Sequence, residues 1–470
     1  MGVNGRAVVL GGGLAGVLAA SVLARHLDSV VVVERDRYPD GPVVRKGVPQ
    51  AQHGHLLLTG GVRRLDALLP GVVDELLGHG ARRLGLPRDV VSLTAQGWMP
   101  RFREMRFALS CSRALLDWVV RKRVLGDGRI RVEEDTTALR LCGDGARVTG
   151  VLVRDRASGQ PRLLEADLVV DATGRGSKAP EWLRLLGLPE VREELVDPGL
   201  AYATRLYRVP PGAPADFPNV SIQAEPGTGR PGRAGVIFPI EGDQWLVTLS
   251  GTRGAEPPVD DAGFEQFARA LPHRVVSELI AAAEPLGRAR GYRNNANRRR
   301  RFDQLRRWPD GFLVIGDAVA TTNPTYGHGM SVAAGEAVAL HRGLHRHRLR
   351  PGSCRRIQRG IAAAAQASWM MATSQDRLYP DVVGRGPSRA LFVQKRLTDR
   401  LQRFAAQDPA VFDALLQGHT LSGMPSPLVI PRIVRGLLRG GARPNNGDPP
   451  FTPAERAVLA PQDPPEGGKA

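Results

Sequence analysis

The chain has 470 residues, 42% of them hydrophobic and 24% charged, enough to bury a sizeable core and to form more than one structural unit. Its three cysteines, Cys111, Cys142 and Cys354, are odd in number and far apart, which argues against a disulfide framework or a metal cluster. The net charge of +18 comes from five lysines and sixty arginines spread over all segments, with only 5% aromatic residues, so no nucleic-acid partner is expected.

The first predicted strand, Ala7 to Leu10, runs into Gly11-Gly12-Gly13-Leu14-Ala15-Gly16 and then a helix of small residues. Gly11 permits the tight turn, Gly13 lets the backbone approach a pyrophosphate, and Gly16 lets the helix pack closely on the strand. The helix N-terminus offers N–H groups and the positive end of its dipole to the phosphates. A second strand, Val30 to Val33, ends in Glu34, about 20 residues after the glycines, where an acidic side chain accepts hydrogen bonds from a ribose. Strand, glycines, helix and acid together read as a dinucleotide cradle. The glycine loop also breaks the N-terminal apolar stretch, so a Rossmann strand and helix rather than a signal peptide is expected here.

Arg113 opens an apolar helix with Leu115, Leu116, Val119 and Val120; its guanidinium could fork onto phosphate oxygens or be an ordinary surface arginine. Residues 130 to 171 alternate in short runs, Val148 to Val153 and Leu163 to Val170, as hairpin strands do. Further strand patterns at Tyr202 to Tyr207, Val220 to Ala224, Ala234 to Pro239 and Gln244 to Ser250 suggest a second sheet, to which Arg101 to Leu109 could add an earlier strand. The alternate residues of Val236 to Phe238 and Leu246 to Leu249 are expected to line a mostly apolar substrate pocket. The basic run Arg298 to Arg301 with Arg306 and Arg307 is either a solvated turn or an attractor for an anionic cofactor, a carboxylate substrate or an acidic carrier protein.

The buried-strand pattern Gly311 to Ile315 ends in Gly316-Asp317, followed by Asn323-Pro324-Thr325-Tyr326-Gly327-His328-Gly329-Met330 and an Ala-rich helix. A flavoenzyme needs a carboxylate for ribityl hydroxyls, then a helix N-terminus facing the electron-rich end of the reduced flavin. This order favours FAD over NAD. Residues 353 to 420 are helical by pattern, with Ile357, Ile361 and Ala365 on one stripe and Leu397, Leu401 and Phe404 on another. The basic, amphipathic stretch Leu428 to Arg439 reads as a cover for the pocket or core, or as a membrane-surface helix. No apolar run is long enough for a spanning helix, and the cytoplasm is the expected compartment.

The segments Val8 to Gly16, Arg45 to Ala51, Ser112 to Asp117, Asp171 to Ser177, Tyr202 to Tyr207 and Gly316 to Ser331 resemble the FAD-dependent monooxygenases of the para-hydroxybenzoate hydroxylase fold. Within them the likeness is to polyether epoxidases of the lasalocid and monensin type, and it thins after about Pro380. The resemblance implies an α/β fold in which a Rossmann-like FAD-binding domain (1–80, 111–177 and 296–352) is interleaved with a β-sheet substrate domain (81–110 and 178–295). A helical region (353–440) and a loosely packed tail (441–470) would follow. It implies cofactor contacts from Gly11, Gly13, Leu14, Ala15, Gly16, Glu34, Arg35, Arg45, Val48, Arg113, Asp171, Gly174 and Asp317. Pro324, Gly327, His328, Gly329 and Met330 would shape the site of the flavin ring.

The implied reaction is transfer of one oxygen atom from O2, through a flavin hydroperoxide, to an alkene of a hydrophobic polyene polyketide, free or carrier-bound. The alternatives are an aromatic hydroxylase and a prenyl-chain reductase. Asp171-Ala172-Thr173-Gly174-Arg175-Gly176-Ser177 departs from the family pattern in the placing of its arginine, which leaves two electron routes open: direct NAD(P)H docking or a partner flavin reductase. The tryptophan-rich signature of flavin halogenases is absent. Epoxidation needs no substrate deprotonation, so no catalytic side chain is assigned; His53, His55 and His328 are the candidate acids or bases.

Overall fold

The computed structural model describes residues 3–293, 295–442 and 445–459. Its centre is a parallel five-stranded sheet in the order Phe312–Val314, Leu168–Asp171, Val3–Leu10, Leu27–Val33, Ile130–Glu133. These strands come from remote parts of the chain and are valine-rich because helices and a further sheet cover both faces. The helix Leu14–Leu23, almost wholly buried, packs against the helices Arg113–Leu125 and Gly329–His347. Strand order reverses beside Val3–Leu10, so the carboxyl ends of Val3–Leu10 and Leu168–Asp171 open onto one crevice, the usual ligand position of such sheets.

The run Leu163 to Val170 is two strands rather than one. Pro161–Glu165 pairs antiparallel with Val148–Asp155, whereas Leu168–Asp171 enters the parallel sheet. The break is at Asp167, whose carboxylate accepts from the Arg6 N–H (2.9 Å) while its own N–H donates to the Arg6 carbonyl.

The second large sheet has eight strands, among them Ala201–Arg208, Gln244–Gly251, Arg233–Ile240 and Asn219–Ile222 in antiparallel register. Period-two alternation sends Ile237, Trp245, Val247 and Leu249 to one face, where they pack on Phe264, Phe267, Val276 and Leu279 of the helices Asp261–Arg269 and Val275–Ala281. The earlier strand that joins this sheet is Val90–Thr94, parallel to Asn219–Ile222, not Arg101 to Leu109. Arg106–Ser110 instead pairs with Leu56–Leu58 and Arg82–Leu86 in a separate small sheet. It is drawn there by Thr59, whose hydroxyl bonds the Phe107 carbonyl, and by Arg106, paired with Asp413 at 2.7 Å.

The helix Arg389–Ala405 forms where the pattern predicts it, and one expectation for the C-terminal part changes. Leu401 and Phe404 of the helix Arg389–Ala405 are half-buried, but Leu397 on the same stripe is exposed. Residues 445–459 are not loosely packed: Phe451 and Val458 enter the core of the eight-stranded sheet, and Glu455 forms a two-pronged ion pair with Arg101. Residues 460–470 lie outside the described residues. Among the described residues no helix is long and apolar enough to cross a membrane.

Candidate functional site

A cavity of about 730 Å³ crosses the carboxyl ends of the parallel strands, from Glu34 and Trp182 at one end to Pro324 and Met330 at the other. The three glycines of the first turn divide the work. Gly11 has φ +92°, and a Cβ there would lie 2.7 Å from the Ala172 carbonyl oxygen; one at Gly16 would lie 1.9 Å from the Gly11 oxygen. These two allow backbone to touch backbone. A Cβ at Gly13 would meet nothing closer than Arg45 Nη2 at 4.0 Å, because Gly13 borders the cavity, at the N-cap of Leu14–Leu23. Unpaired N–H groups at that helix end make an anion site.

Glu34 is buried at the end of its strand and accepts from the N–H groups of Gly12 (2.8 Å) and Asp36 (3.0 Å). It also pairs with Arg45 at 2.9 Å. Burial pushes its carboxyl up, but the Arg45 guanidinium and the two N–H donors override this and hold it below its ordinary value. Arg45 Nη2 and the Tyr38 hydroxyl both donate to the Gly12 carbonyl, and the guanidinium groups of Arg45 and Arg121 lie over the Tyr38 ring. The sequence reading missed Tyr38, since a tyrosine just past the acidic strand end carries no pattern of its own.

All the expected cofactor residues line this cavity except Gly16, Asp171 and His328. Asp171 is fully buried and accepts from Thr173 N (2.9 Å), Thr173 Oγ1 (2.6 Å) and Ser177 Oγ (2.6 Å); it shapes the turn whose Ala172 to Gly176 face the cavity. His328 is buried behind the Asn323–Met330 loop, its Nε2 toward the His419 carbonyl, and burial pushes it down to about 4. Asp317 does face the cavity. Its removal from bulk water raises its carboxyl, opposed by the nearby charges of Arg175 and Arg113.

The eight-stranded sheet meets the loop through Tyr202, whose hydroxyl lies 2.8 Å from Thr325 Oγ1 and 3.2 Å from Asn323 Oδ1. The sheet-side lining is Gly54, His55, Tyr292 and Asn295, not Val236 to Phe238 or Leu246 to Leu249. Ile237, Val247 and Leu249 face the helices, and Phe238 on the opposite face closes against Gly54. That face is polar as well as apolar: His53 Nδ1 bonds Thr204 (2.8 Å), which bonds Thr248 (2.9 Å). Burial pushes His53 down to about 4, and burial with the Arg113 charge pushes His55 down to about 3. Both are neutral imidazoles at neutral pH.

A buried carboxylate outside every recognised motif supports the loop. Asp376, at the end of the helix Gln366–Asp376, accepts from Asn297 Nδ2 (2.6 Å), Asn323 Nδ2 (2.9 Å) and the Tyr326 hydroxyl (2.8 Å). Asn297 Oδ1 in turn accepts from the Asn323 N–H at 2.7 Å. The loop is thus fixed at two side chains and one backbone group. An isolated Asp in a polar helix end offers no sequence signal for this, though the paired Asn297 and Asn323 do hint at a polar network.

Comparison with known proteins agrees with this geometry. Residues 7–180 match the family of FAD dependent oxidoreductases. Protein Rv3254 of Mycobacterium tuberculosis is 32% identical over 452 residues, 92% of this chain and 94% of its own. The 6-methylpretetramide 4-monooxygenase of Streptomyces rimosus is 29% identical over 356 residues, 71% of this chain and 73% of its own. Among solved structures, OxyS anhydrotetracycline hydroxylase from Streptomyces rimosus shares the fold, with TM-score 0.58, 17% identity and coverage of 89% of this chain and 76% of that one.

Gly13→Val should fold and lose its dinucleotide, because the added side chain projects into the cavity, whereas Gly16→Val should fail to fold, because its Cβ strikes backbone. Soluble yield, circular dichroism and bound flavin separate the two; a Gly13→Val protein with full flavin content would place the cradle elsewhere. For Asp376, burial outweighs its three donors and raises the carboxyl to about 6 from an ordinary 3.8. The native state therefore holds this proton more tightly than the unfolded chain, and the stability it contributes is present below about pH 4 and lost as pH rises through about 6. Denaturant titrations should show wild type losing on the order of 2–3 kcal/mol relative to Asp376→Asn between pH 4 and pH 7; parallel pH dependence of the two proteins would contradict the assignment.

Proposed function

The chain belongs to the FAD-dependent oxidoreductases, a flavin monooxygenase in its activity, and from that premise we propose that it epoxidises an alkene of a hydrophobic, polyketide-type natural product. One oxygen atom of O2 would enter the product and the other would leave as water, with two electrons and two protons consumed. The electrons would come from NAD(P)H, directly or through a partner reductase.

The residues present fit FAD. Gly13 with the N-terminus of Leu14–Leu23 would hold the pyrophosphate, Glu34 the adenosine ribose, and Arg113 and Asp317 the middle of the molecule. Pro324, Gly327, Gly329 and Met330 would surround the ring. Bound and reduced, FAD supplies the activation of O2. The N-terminus of the helix Gly329–His347 points its N–H groups toward the cavity, where they favour negative charge. Tyr202, bonded to Thr325, keeps the sheet closed on the loop and so limits the entry of water to the reacting centre.

The observation that carries the epoxidase reading is the burial of the two histidines at the sheet side of the cavity, which disfavours their taking up a proton. His53 and His55 are pushed down to about 4 and 3 by burial, and burial holds the Tyr202 hydroxyl far above neutral pH. Hydroxylation of a phenol benefits from removal of its proton in the site, whereas an alkene accepts an electrophilic oxygen without deprotonation. Aromatic hydroxylation of a polyketide is the second reading, favoured by the name of the Streptomyces rimosus relative.

Turnover under isotopically labelled dioxygen, offered in parallel a polyene and a phenolic polyketide, tests the proposal. The expected product is a labelled epoxide from the polyene, with kcat/KM flat across neutral pH. Labelled phenol product alone would favour the second reading, and unlabelled or reduced product would remove oxygen transfer altogether.

A further inference from the structure

The C-terminal helices present a surface that oxygen transfer does not use. The helix Ile430–Arg439 rests on the helix Arg389–Ala405 through a narrow face, where Gly436 makes room for a neighbour. A Cβ there would lie 2.8 Å from Phe404 and 3.0 Å from Leu401. Ile433 shares this contact, which occupies only one side of the helix's apolar arc. Ile430, Val434 and Leu438, spaced as successive helical turns, remain half-exposed or more on the other side. Met424 and Leu428, just before the helix in the chain, are 89% and 87% exposed, and Phe392, Val393 and Leu397 of the helix Arg389–Ala405 are exposed as well.

Single exposed apolar residues need no explanation, but a contiguous line of them does. The edge of the line is cationic. Among the described residues none of Arg389, Arg396, Arg435 and Arg439 has a carboxylate within ion-pair distance, while Arg432 pairs with Asp408 at 3.3 Å. No Asp or Glu occurs in the sequence between Asp413 and Asp448. An apolar partner protein would use the leucine line and leave the arginines idle. A lipid surface uses both, with the apolar flank at the acyl boundary and the guanidinium groups at headgroup phosphates. We propose that this flank seats the protein on an anionic lipid surface, the helix Ile430–Arg439 lying in the plane of the interface.

Co-sedimentation of the flavin-loaded protein with vesicles of phosphatidylcholine, with and without phosphatidylglycerol, tests this. Wild type should bind the anionic vesicles and release as salt is raised. The double variant Val434→Asp/Leu438→Asp should bind about tenfold more weakly or less, with unchanged flavin content and thermal midpoint. Arg435→Gln/Arg439→Gln should lose the preference for anionic lipid. Absence of wild-type binding, or equal binding by Val434→Asp/Leu438→Asp, would overturn the proposal, the latter assigning any binding to the overall charge of +18. It would equally be overturned by a wild-type dimer that ignores vesicles and that Val434→Asp/Leu438→Asp splits, which would make the flank an interface between copies.

Discussion

The contact on which the rest of the structure depends is the meeting of backbone with backbone at Gly11, Gly16 and Ala172. A side chain at either glycine would enter the van der Waals shell of a carbonyl oxygen, so the first helix can lie directly on the crevice between Val3–Leu10 and Leu168–Asp171 only because both Cβ atoms are missing. That closeness aims the helix N-terminus into the cavity and leaves Gly13 facing open space. Glu34 is then placed by its own obligations: it must satisfy Gly12 N, Asp36 N and Arg45, and a carboxylate so engaged stays ionised where a ribose would reach it.

The far end of the cavity is built differently. There the loop Asn323–Met330 has no sheet to register it, and polar side chains take over. Asp376 collects three donors from two separate segments, and Tyr202 ties the same loop to the second sheet. Burying such a carboxylate is costly unless every acceptor position is used. Losing Asp376 would leave all three donors without their acceptor, so the network fixes the loop in one arrangement. Two separate apolar cores are in this way joined through hydrogen bonds at the place where ligand and substrate would meet.

The cradle was legible because it is written in consecutive residues: Gly11 to Gly16, then Glu34, and later Gly316-Asp317. Each is a local backbone requirement, and local requirements leave a pattern in one sequence. The strands of the second sheet were legible from alternation for the same reason. Asp171 and His328 were assigned to the ligand because they belong to motifs, yet both face inward and serve the loops that carry their neighbours. Asp376, Tyr38 and the partners of Arg106 could not be read, since they matter through contacts between segments tens to hundreds of residues apart. Period two told which residues share a face, but not that Phe238 on the face away from the helices would close against Gly54, so these strands do not line the described cavity. The tail joined the core through Phe451 and the Arg101–Glu455 pair, against a composition rich in Pro and Gly.

The cavity has one expected occupant, a complete FAD reaching from Glu34 to Met330. Denaturing the purified wild-type protein and identifying the released flavin tests that most directly. One equivalent of FAD per chain, wholly in the supernatant, is the predicted result. FMN, or flavin that stays attached to the precipitated chain, would contradict it, since the first would leave the adenosine end without a ligand and the second would require a covalent tether.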